Sequence, residues 1–375
     1  MDQANILIIG GGVVGCAIAE AASRKWNDIY LVEQCPKFGM ATSTRNSGVI
    51  HSGIYYDKNS LKARLCVSGN RLTKEFCKKH NVSHRTTGKL VVAKNLHEHE
   101  DLLALKKKGE NNGVEGLRLI DATEIRKKEA HIEGYSALEV PSTGICSAEE
   151  LVHAFARVAE SRGANLVNYA KVESIEPKKD LLLVGLRIGD ERSSVTETIE
   201  TRCVINAAGL YADEVAQLLG PRPWTIYPVR GEYCEIRGKR AELIKSLVYP
   251  LPPHDALSLG LHFTKTLWGT TLVGPTAAYV DSKENYERDR LGIPEFLADA
   301  RTMLPDLEEG DLQLAYTGLR PKLSPKGKGG FVDFVIEPDH QVPQVIQLIG
   351  IESPGLTASP AIAQHVLGLV EAVLN

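Results

Sequence analysis

The segment at residues 5–34, NILIIGGGVVGCAIAEAASRKWNDIYLVEQ, constrains the fold more than any other part of the chain. Its apolar run at residues 6–9 predicts a buried parallel strand. Gly10, Gly12 and Gly15 then form a GxGxxG turn that opens an apolar helix, and a second strand ends at Glu33. This order of elements predicts a βαβ unit that binds a dinucleotide.

The glycines and the acidic residue have separate tasks in such a unit. Gly10 permits the tight turn, Gly12 lets a pyrophosphate approach the backbone, and Gly15 lets the helix pack against the strand. The helix N-terminus offers N–H groups and a positive dipole end to the phosphates. Glu33 is placed to accept both ribose hydroxyls and to disfavour a 2′-phosphate. The segment therefore argues against NADP.

The chain after Glu33 does not continue as an NAD-binding half, in which another helix and a third parallel strand would follow. Residues 34–57 are irregular, a long helix is predicted for residues 59–80, and GKLVVA predicts a short strand. The missing strands of the first sheet return much later, as RCVINAAG and QVIQLIGI. A sheet interrupted in this way is typical of FAD enzymes with an inserted second domain.

The inserted part has its own pattern. Short β-rich runs with close glycine turns, YPVRGEYCEIRG, LSLGLHFTKT and TLWGTTLVGP, predict an antiparallel sheet that GKLVVA joins. The segment GIPEFLADARTML predicts a helix beside that sheet. The segment CSAEELVHAFARVAESRGA predicts a helix with a capping box of Ser147 and Glu150, which returns the chain to the first domain.

The last segment, ESPGLTASPAIAQHVLGLVEAVLN, predicts a C-terminal helix. Ser359 and Pro360 fit an N-cap and first helical position, with SPGLT as the preceding turn. A helix N-terminus that faces a flavin would stabilise negative charge on the reduced ring. The alternative is a capped helix with no ligand.

Composition excludes several other classes. The chain of 375 residues has 43% hydrophobic and 24% charged residues and a net charge of −3, so no basic surface for nucleic acid is expected. Apolar runs of strand length predict neither a membrane-spanning helix nor a signal peptide. Seven cysteines without CxxC spacing indicate neither a disulfide framework nor a metal site, and favour a cytoplasmic location.

Several longer motifs go beyond the glycine turn. The segments STRNSGVIHSGIYY, SLKARLCVSGNRL, PSTGICSAEELVHAF, INAAGLYADEVA, GLRPKL and SPGLTASPAIA resemble the L-2-hydroxyglutarate dehydrogenase/oxidase group. That group belongs to the D-amino-acid-oxidase-like FAD oxidoreductases, which also include glycerol-3-phosphate and sarcosine oxidases. The resemblance covers essentially the whole chain. Residues 180–201, which indicate a surface hairpin, and TKTLWGTTLVGP depart from it, which leaves the substrate more open than the fold.

The resemblance implies an α/β fold of the α+β two-domain kind. A Rossmann-like FAD-binding domain of the glutathione-reductase type would be interrupted by an antiparallel-sheet substrate domain. We place the FAD-binding domain at residues 1–87, 146–224 and 320–375, and the substrate-binding cap at residues 88–145 and 225–319. The expected reaction is oxidation of a small 2-hydroxy acid, in particular L-2-hydroxyglutarate, by hydride transfer to FAD. Oxygen or a quinone is the expected electron acceptor. The protein is expected either in solution or in peripheral contact with a membrane. A sister oxidase acting on an amino acid, an N-methyl amino acid or glycerol 3-phosphate is the alternative.

The chemistry requires a base for the hydroxyl proton and cations for the carboxylates. Histidine suits the first task because its ordinary pKa is near neutral pH. His51, in the glycine-rich loop RNSGVIHSGIYY, and His262, in LGLHFT, are the candidates. His51 either takes the substrate proton or only holds the flavin, while His262 is either the base or a core residue. Arg320 in TGLRPKL is expected to bind a carboxylate through two parallel hydrogen bonds.

Further residues complete the predicted site, and no metal is expected. The predicted substrate-binding residues are Tyr56, Lys89, Tyr227, Arg230 and Lys265. The predicted cofactor-binding residues are Gly10, Gly12, Val13, Val14, Gly15, Glu33, Gln34, Thr44, Arg45, Asn46, Ser47, Gly48, Val172, Ala207, Gly209, Gly318, Arg320, Gly355, Leu356 and Thr357.

Overall fold

The structure, a computed structural model, describes residues 2–190, 192–252 and 259–375. Its strands are β1 (Asp2–Ile9), β2 (Ile29–Val32), β3 (Val49–Ile50), β4 (His84–Thr86), β5 (Lys89–Ala93), β6 (Arg118–Asp121), β7 (Ser136–Glu139), β8 (Gly144–Cys146), β9 (Asn165–Val167), β10 (Ala170–Pro177), β11 (Leu182–Gly189), β12 (Ser194–Asn206), β13 (Tyr227–Ile236), β14 (Leu247–Pro250), β15 (His262–Lys265), β16 (Thr271–Gly274), β17 (Ala278–Tyr279), β18 (Leu312–Lys322), β19 (Val335–Pro338) and β20 (Val345–Ile349). Its α-helices are α1 (Val13–Ala22), α2 (Leu61–His80), α3 (Leu96–Asn111), α4 (Ala122–Lys128), α5 (Ala148–Glu160), α6 (Ala212–Gln217), α7 (Ile293–Ala300) and α8 (Gly355–Leu374).

The first sheet has a parallel centre, in which β9, β2, β1, β12 and β20 lie side by side in that order. The N-terminal half of β12 also pairs with β11, and β10 and β11 extend the sheet as an antiparallel hairpin. The predicted hairpin near residues 180–201 is therefore formed by β11 and β12. The late return of β12 and β20 to the sheet confirms the interruption that the sequence indicated.

Helices cover one face of this sheet. Apolar side chains of β1, α1, α5 and α8 share one core, in which Ile6, Ile18, Phe155 and Ile362 are almost fully buried. On the other face, apolar side chains such as Leu7 share a second core with apolar side chains of β10 and β11. The near-continuous apolar run of β1 is explained by this burial on both faces.

The second sheet has the order β17-β13-β16-β15-β14-β5-β7-β6, and β18 pairs along β13. All of its pairs are antiparallel except β14 with β5. GKLVVA forms β5 of this sheet, as predicted, and α7 packs on it through Phe296 and Leu297. A small third sheet has the order β3-β8-β4. These sheets confirm the fold class, while the exact domain boundaries stay a prediction.

Two local predictions about helix starts need correction. α8 begins at Gly355 rather than after Ser359, and Pro360 lies inside the helix. Proline has no N–H to donate to the carbonyl of Leu356. The Ser359 hydroxyl donates to that carbonyl instead, at 3.0 Å, and the helix continues.

At α5, Ser147 caps the Glu150 N–H at 3.3 Å, but the Glu150 carboxylate accepts from Ser83, so the reciprocal half of the capping box is not formed.

α8 is also long and apolar enough, with a mean hydropathy of 1.2, to cross a membrane by length and composition. The sequence prediction missed this because it considered apolar runs of strand length. Ala358, Ile362 and Val366 of this helix are buried in the core that α1 also lines. Packing in that core accounts for the apolar composition.

Candidate active site

One large cavity, of about 1530 Å³, extends from the start of α1 to the face of the second sheet. Pockets for drug-sized ligands are typically about 300–1000 Å³, so this one has room for a dinucleotide and a small substrate. Most of the predicted site residues line it: Gly10, Gly12, Val13, Val14, Glu33, Gln34, Arg45, Asn46, Ser47, His51, Tyr56, Val172, Ala207, Gly209, His262, Gly318, Arg320, Gly355 and Leu356.

Glycines hold the backbone close at the end of the cavity near α1. Gly10 has a φ of +107°, and a Cβ there would lie 2.5 Å from the Ala207 carbonyl oxygen. On the second sheet, a Cβ on Gly318 of β18 would likewise lie 2.0 Å from the Arg45 carbonyl oxygen. Gly15 does not line the cavity, because it packs at the carbonyl of Gly10, as its predicted task requires. The cradle is thus formed by backbone that side chains would displace.

The start of α1 is fixed by one serine and one glutamate. The Val13 N–H donates to the Ser43 hydroxyl at 2.8 Å, and the Ser43 oxygen lies 2.9 Å from the position of a Cβ on Gly12. The Glu33 carboxylate accepts from the N–H groups of Gly11 and Cys35, both at 2.7 Å. These bonds hold Glu33 at the end of β2, where it still faces the cavity.

The N-terminus of α8 reaches the same cavity through Gly355 and Leu356. The next residue, Thr357, is fully buried and does not line the cavity. Its hydroxyl donates to the Val49 carbonyl at 3.1 Å and accepts from the His51 N–H at 2.9 Å. Thr357 therefore ties the glycine-rich loop to the helix start, and a ligand between the two would meet the positive end of the helix dipole.

Two histidines face the far end of the cavity. His51 Nε2 lies 3.4 Å from the Ser353 hydroxyl, and His51 Nδ1 is buried without a hydrogen-bond partner in the described part of the chain. His262 is 4% exposed and stacks on the Tyr249 ring, with ring centroids 3.6 Å apart. Burial, together with nearby Lys89, lowers the pKa of each histidine to about 3, so both are neutral at physiological pH.

The tautomer of His262 follows from its hydrogen bond. Its Nδ1 lies 2.7 Å from the Gly260 carbonyl oxygen, which can only accept. Nδ1 must therefore carry the proton, and Nε2 holds a lone pair. A neutral imidazole in this state presents Nε2 as a proton acceptor, and the hydrogen bond to the Gly260 carbonyl opposes part of the fall in pKa that burial causes.

Two cations lie near these histidines. Arg320 of β18 lines the cavity and donates to the Thr276 carbonyl at 3.1 Å. Its guanidinium lies over Gly231, where a Cβ would approach to 2.7 Å. Lys89, at the start of β5, is 2% exposed and donates to the Tyr55 hydroxyl at 3.0 Å. Lys89 thus stands behind the tyrosines of the wall rather than among the lining residues.

Some predicted residues lie elsewhere. Arg230 is buried against Glu232, with nitrogen–oxygen distances of 2.8 and 3.0 Å, and also donates to the Asp289 carbonyl. Lys265 donates to the Ala241 carbonyl and to Glu242. Neither residue lines the cavity, and both cations already have partners, so the structure does not place them at a substrate. The remaining predicted residues outside the lining are Tyr227, Thr44 and Gly48.

The sequence prediction missed several lining residues, among them Ser43, Tyr55, Tyr233, Tyr249 and Tyr286. Tyr55 adjoins the predicted Tyr56 in the same loop, and this pairing was an available signal. Ser43 lies in an irregular segment, where no periodicity marks it. In the sequence, Tyr249 is indistinguishable from an ordinary residue of a buried strand. Only the structure shows that it stacks on His262 in the cavity wall.

The cavity fits FAD at both ends. The glycine cradle and the α1 N-terminus suit a pyrophosphate, and the α8 N-terminus suits a ring that becomes negatively charged. His51 Nδ1, an orphaned buried nitrogen, lies beside the second of these places. In the described part of the chain, no group of His, Cys, Asp and Glu side chains is arranged to hold a metal.

Comparisons with known proteins agree with this geometry. Residues 5–369 match the DAO family, described as FAD dependent oxidoreductase. The chain is 33% identical over 405 residues to the mitochondrial L-2-hydroxyglutarate dehydrogenase of Arabidopsis thaliana, covering 97% of this chain and 83% of that protein. The L-2-hydroxyglutarate dehydrogenase of Escherichia coli K12 is 30% identical over 407 residues, covering 99% and 94%. The human mitochondrial L-2-hydroxyglutarate dehydrogenase is 36% identical over 289 residues, covering 75% and 62%.

Solved structures give the same answer for the fold. The L-alpha-glycerophosphate oxidase of Mycoplasma pneumoniae, with FAD bound, has a TM-score of 0.88 and 28% identity over 99% of this chain and 95% of that one. The glycine oxidase of Geobacillus kaustophilus has a TM-score of 0.81 at 20% identity, over 99% and 95%. The chain is an oxidoreductase that uses FAD. It belongs to the DAO family of FAD-dependent oxidoreductases.

Proposed function

We propose that this enzyme oxidises a small 2-hydroxy acid, specifically L-2-hydroxyglutarate to 2-oxoglutarate. The observation that carries the proposal is the combination at one end of the cavity of two neutral histidines with Arg320. A hydroxyl needs a base, and an acid needs a cation. The relatives named L-2-hydroxyglutarate dehydrogenase support this substrate.

The roles of the residues follow from their contacts. Arg320 binds a substrate carboxylate, and Gly231 leaves room for its guanidinium. His262 Nε2 accepts the hydroxyl proton, since the bond from Nδ1 to Gly260 fixes the required tautomer. His51 is the alternative acceptor, because its Nδ1 has no partner in the described residues.

FAD, when bound, would supply the acceptor for the hydride of the substrate α-carbon, and the hydroxyl proton would pass to one of the histidines, which leaves the carbonyl of the product. The Thr357 hydroxyl accepts from the backbone N–H of His51 and fixes the loop at that residue, and the Tyr249 ring stacks on the His262 ring. The electron acceptor in this proposal is oxygen or a quinone. The cellular location is the cytoplasm, either in solution or in peripheral contact with a membrane.

The test is anaerobic reduction of the purified holoenzyme with a panel of substrates. L-2-hydroxyglutarate should bleach the flavin absorbance rapidly, whereas L-glycerol 3-phosphate, glycine and L-proline should leave it oxidised on the same timescale. Rapid bleaching by one of the other three without bleaching by L-2-hydroxyglutarate would contradict the proposal. That result would assign the enzyme to a sister activity, such as those of the glycerophosphate and glycine oxidases.

A further inference from the structure

Lys89 occupies an unusual position behind the wall of the cavity. Its ammonium lies 4.3 Å from the ring centroid of Tyr55 and 4.6 Å from that of Tyr249. Both tyrosines line the cavity, and Lys89 donates to the Tyr55 hydroxyl at 3.0 Å. The lysine is brought there by the parallel pairing of β5 with β14, which carries Tyr249. Lys89 is therefore one hydrogen bond away from any ligand that bonds to the Tyr55 hydroxyl.

In the described residues, no carboxylate forms an ion pair with Lys89. The titratable groups that face it are those of Tyr55, Tyr249, Cys66, His51 and His262. On the neighbouring strand, the carboxylate of Glu139 pairs with Arg118 and Lys128 instead. A buried ammonium without a counter-ion is costly, and burial lowers the pKa of Lys89 from 10.5 to about 7.

The hydrogen bond between Lys89 and Tyr55 has two forms. When Lys89 is neutral, its amine nitrogen can accept, and the Tyr55 hydroxyl can donate to it. When Lys89 is protonated, the ammonium can only donate, and the Tyr55 oxygen accepts. The hydroxyl proton of Tyr55 is then released for an acceptor in the cavity. A carboxylate there favours the second form, both as that acceptor and by its charge.

We propose that Lys89 is a positioning residue that takes up one proton when a dicarboxylate enters the cavity, and that Tyr55 then donates its hydroxyl proton to the ligand. The inference rests on the proposed function, since it names a dianion as the ligand. It assigns Lys89 an action through Tyr55 instead of the direct contact that the sequence predicted.

The other groups around Lys89 do not titrate near neutral pH. The histidines have pKa values of about 3, burial raises the pKa of Tyr55 well above 10, and burial also raises the pKa values of Tyr249 and Cys66. A proton taken up between pH 7 and 9 on anion binding is therefore assigned to Lys89.

The test is isothermal titration of the oxidised holoenzyme with glutarate, an unreactive dicarboxylate, at pH 8. Titrations in buffers of different ionisation enthalpy give the number of protons taken up. A lysine with a pKa of about 7 is about nine-tenths neutral at pH 8, so uptake should approach ~0.9 proton per glutarate. In the same protein, the Kd should rise up to about tenfold per pH unit above pH 7, until the pKa of the complex is reached.

Three variants identify the group. Lys89→Met removes the amine at similar volume, and should reduce uptake to near zero and weaken binding at least about tenfold. Lys89→Arg keeps a cation that does not deprotonate, so binding should lose its pH dependence and its proton uptake together. Lys74→Met is the matched control, because burial also lowers the pKa of Lys74, which donates to the Ser142 carbonyl outside the cavity. This control should keep wild-type uptake.

Several results would overturn the inference: no glutarate binding by the wild type, binding without proton uptake, or uptake that persists in Lys89→Met. The wild-type pH series decides the question even where a variant fails to fold. The flavin-reduction panel on the same preparations separates the two proposals. If L-2-hydroxyglutarate bleaches the flavin but glutarate binds without proton uptake, the role of Lys89 is contradicted and the proposed function stands. If glutarate binding takes up a proton but L-2-hydroxyglutarate does not bleach the flavin, the proposed function is contradicted and the role of Lys89 stands.

Discussion

The two ends of the cavity are built in different ways. At the α1 end, the surface is backbone, shaped by residues that lack side chains, such as Gly10 and Gly12. At the reaction end, the surface consists of side chains, among them His51, His262 and Arg320, which come from distant parts of the chain. The first end depends on local conformation, whereas the second depends on how two sheets are brought together.

The two ends should therefore respond differently to substitution. A single added carbon atom should destroy the cradle, because it would overlap a carbonyl oxygen that cannot move without its strand. The reaction end should tolerate changes in shape better and changes in hydrogen bonding worse, since its groups act through lone pairs and charge.

The largest effect is expected from Gly10→Ala. The new Cβ would lie 2.5 Å from the Ala207 carbonyl oxygen, at a φ of +107° that costs a residue with a side chain about 1–3 kcal/mol. The purified protein should retain no FAD that its absorbance spectrum can detect, and its activity should therefore be lost altogether. The control is Gly113→Ala, which has a similar φ of +86° and open space around the Cβ. Equal loss of FAD in both variants would show that backbone strain, and not the cradle, is responsible.

The next effect is expected from the histidines. His262→Gln keeps a polar group but cannot accept a proton, so kcat should fall roughly 100- to 10,000-fold with FAD fully bound. The kcat of His51→Gln should fall by a smaller factor. The kcat of His97→Gln, a substitution at an exposed residue, should equal that of the wild type. A larger loss in His51→Gln would transfer the role of base to that residue.

The pH dependence follows from the same pKa values. A base must be neutral to accept a proton, and both histidines lose that state only as pH falls through about 3. The kcat of the wild type should therefore show no histidine-dependent loss between pH 8 and pH 5. An acid limb near pH 6 that disappears in His262→Gln would contradict the burial on which this argument depends.

A smaller effect is expected from Arg320→Met. Loss of a charged hydrogen-bonding partner for a carboxylate costs about 2–4 kcal/mol, which corresponds to roughly 30- to 1000-fold in kcat/KM. The loss should fall mainly on KM for L-2-hydroxyglutarate, and Arg320→Lys should recover part of it. Arg301→Met, whose side chain donates to the Leu307 carbonyl away from the cavity, is the matched control. An unchanged KM would remove Arg320 from substrate binding.

Sequence reasoning recovered the two ends unequally. The strand, the glycine turn and Glu33 are contiguous, and their tasks follow from local geometry, so this end could be predicted in detail. Arg230 and Lys265 were predicted as substrate-binding residues, but the structure pairs each of them with a glutamate. Glu232 and Glu242, which neutralise them, are visible in the sequence, but their pairing depends on side-chain directions within the second sheet.

Long-range register explains what the sequence could not show. Lys89 meets Tyr249 because β5 pairs with β14 in parallel, with Val91 opposite Tyr249. Nothing in the local pattern of either strand specifies that pairing. The start of α8 was misplaced for a local reason, because the Ser359 hydroxyl replaces the hydrogen bond that Pro360 cannot make.

The smallest effect, and the sharpest comparison of the two ends, is expected from Ser43→Ala. Ser43 is one side chain within the backbone cradle, and its hydroxyl oxygen accepts from the Val13 N–H at 2.8 Å. The hydroxyl proton is then free to donate to a phosphate, and its loss should cost about 1 kcal/mol, or about fivefold in FAD affinity. FAD release on dilution measures this, with Ser68→Ala as the control, since Ser68 donates to the Arg64 carbonyl within α2. A loss as large as that of Gly10→Ala would show that the cradle depends on side chains after all.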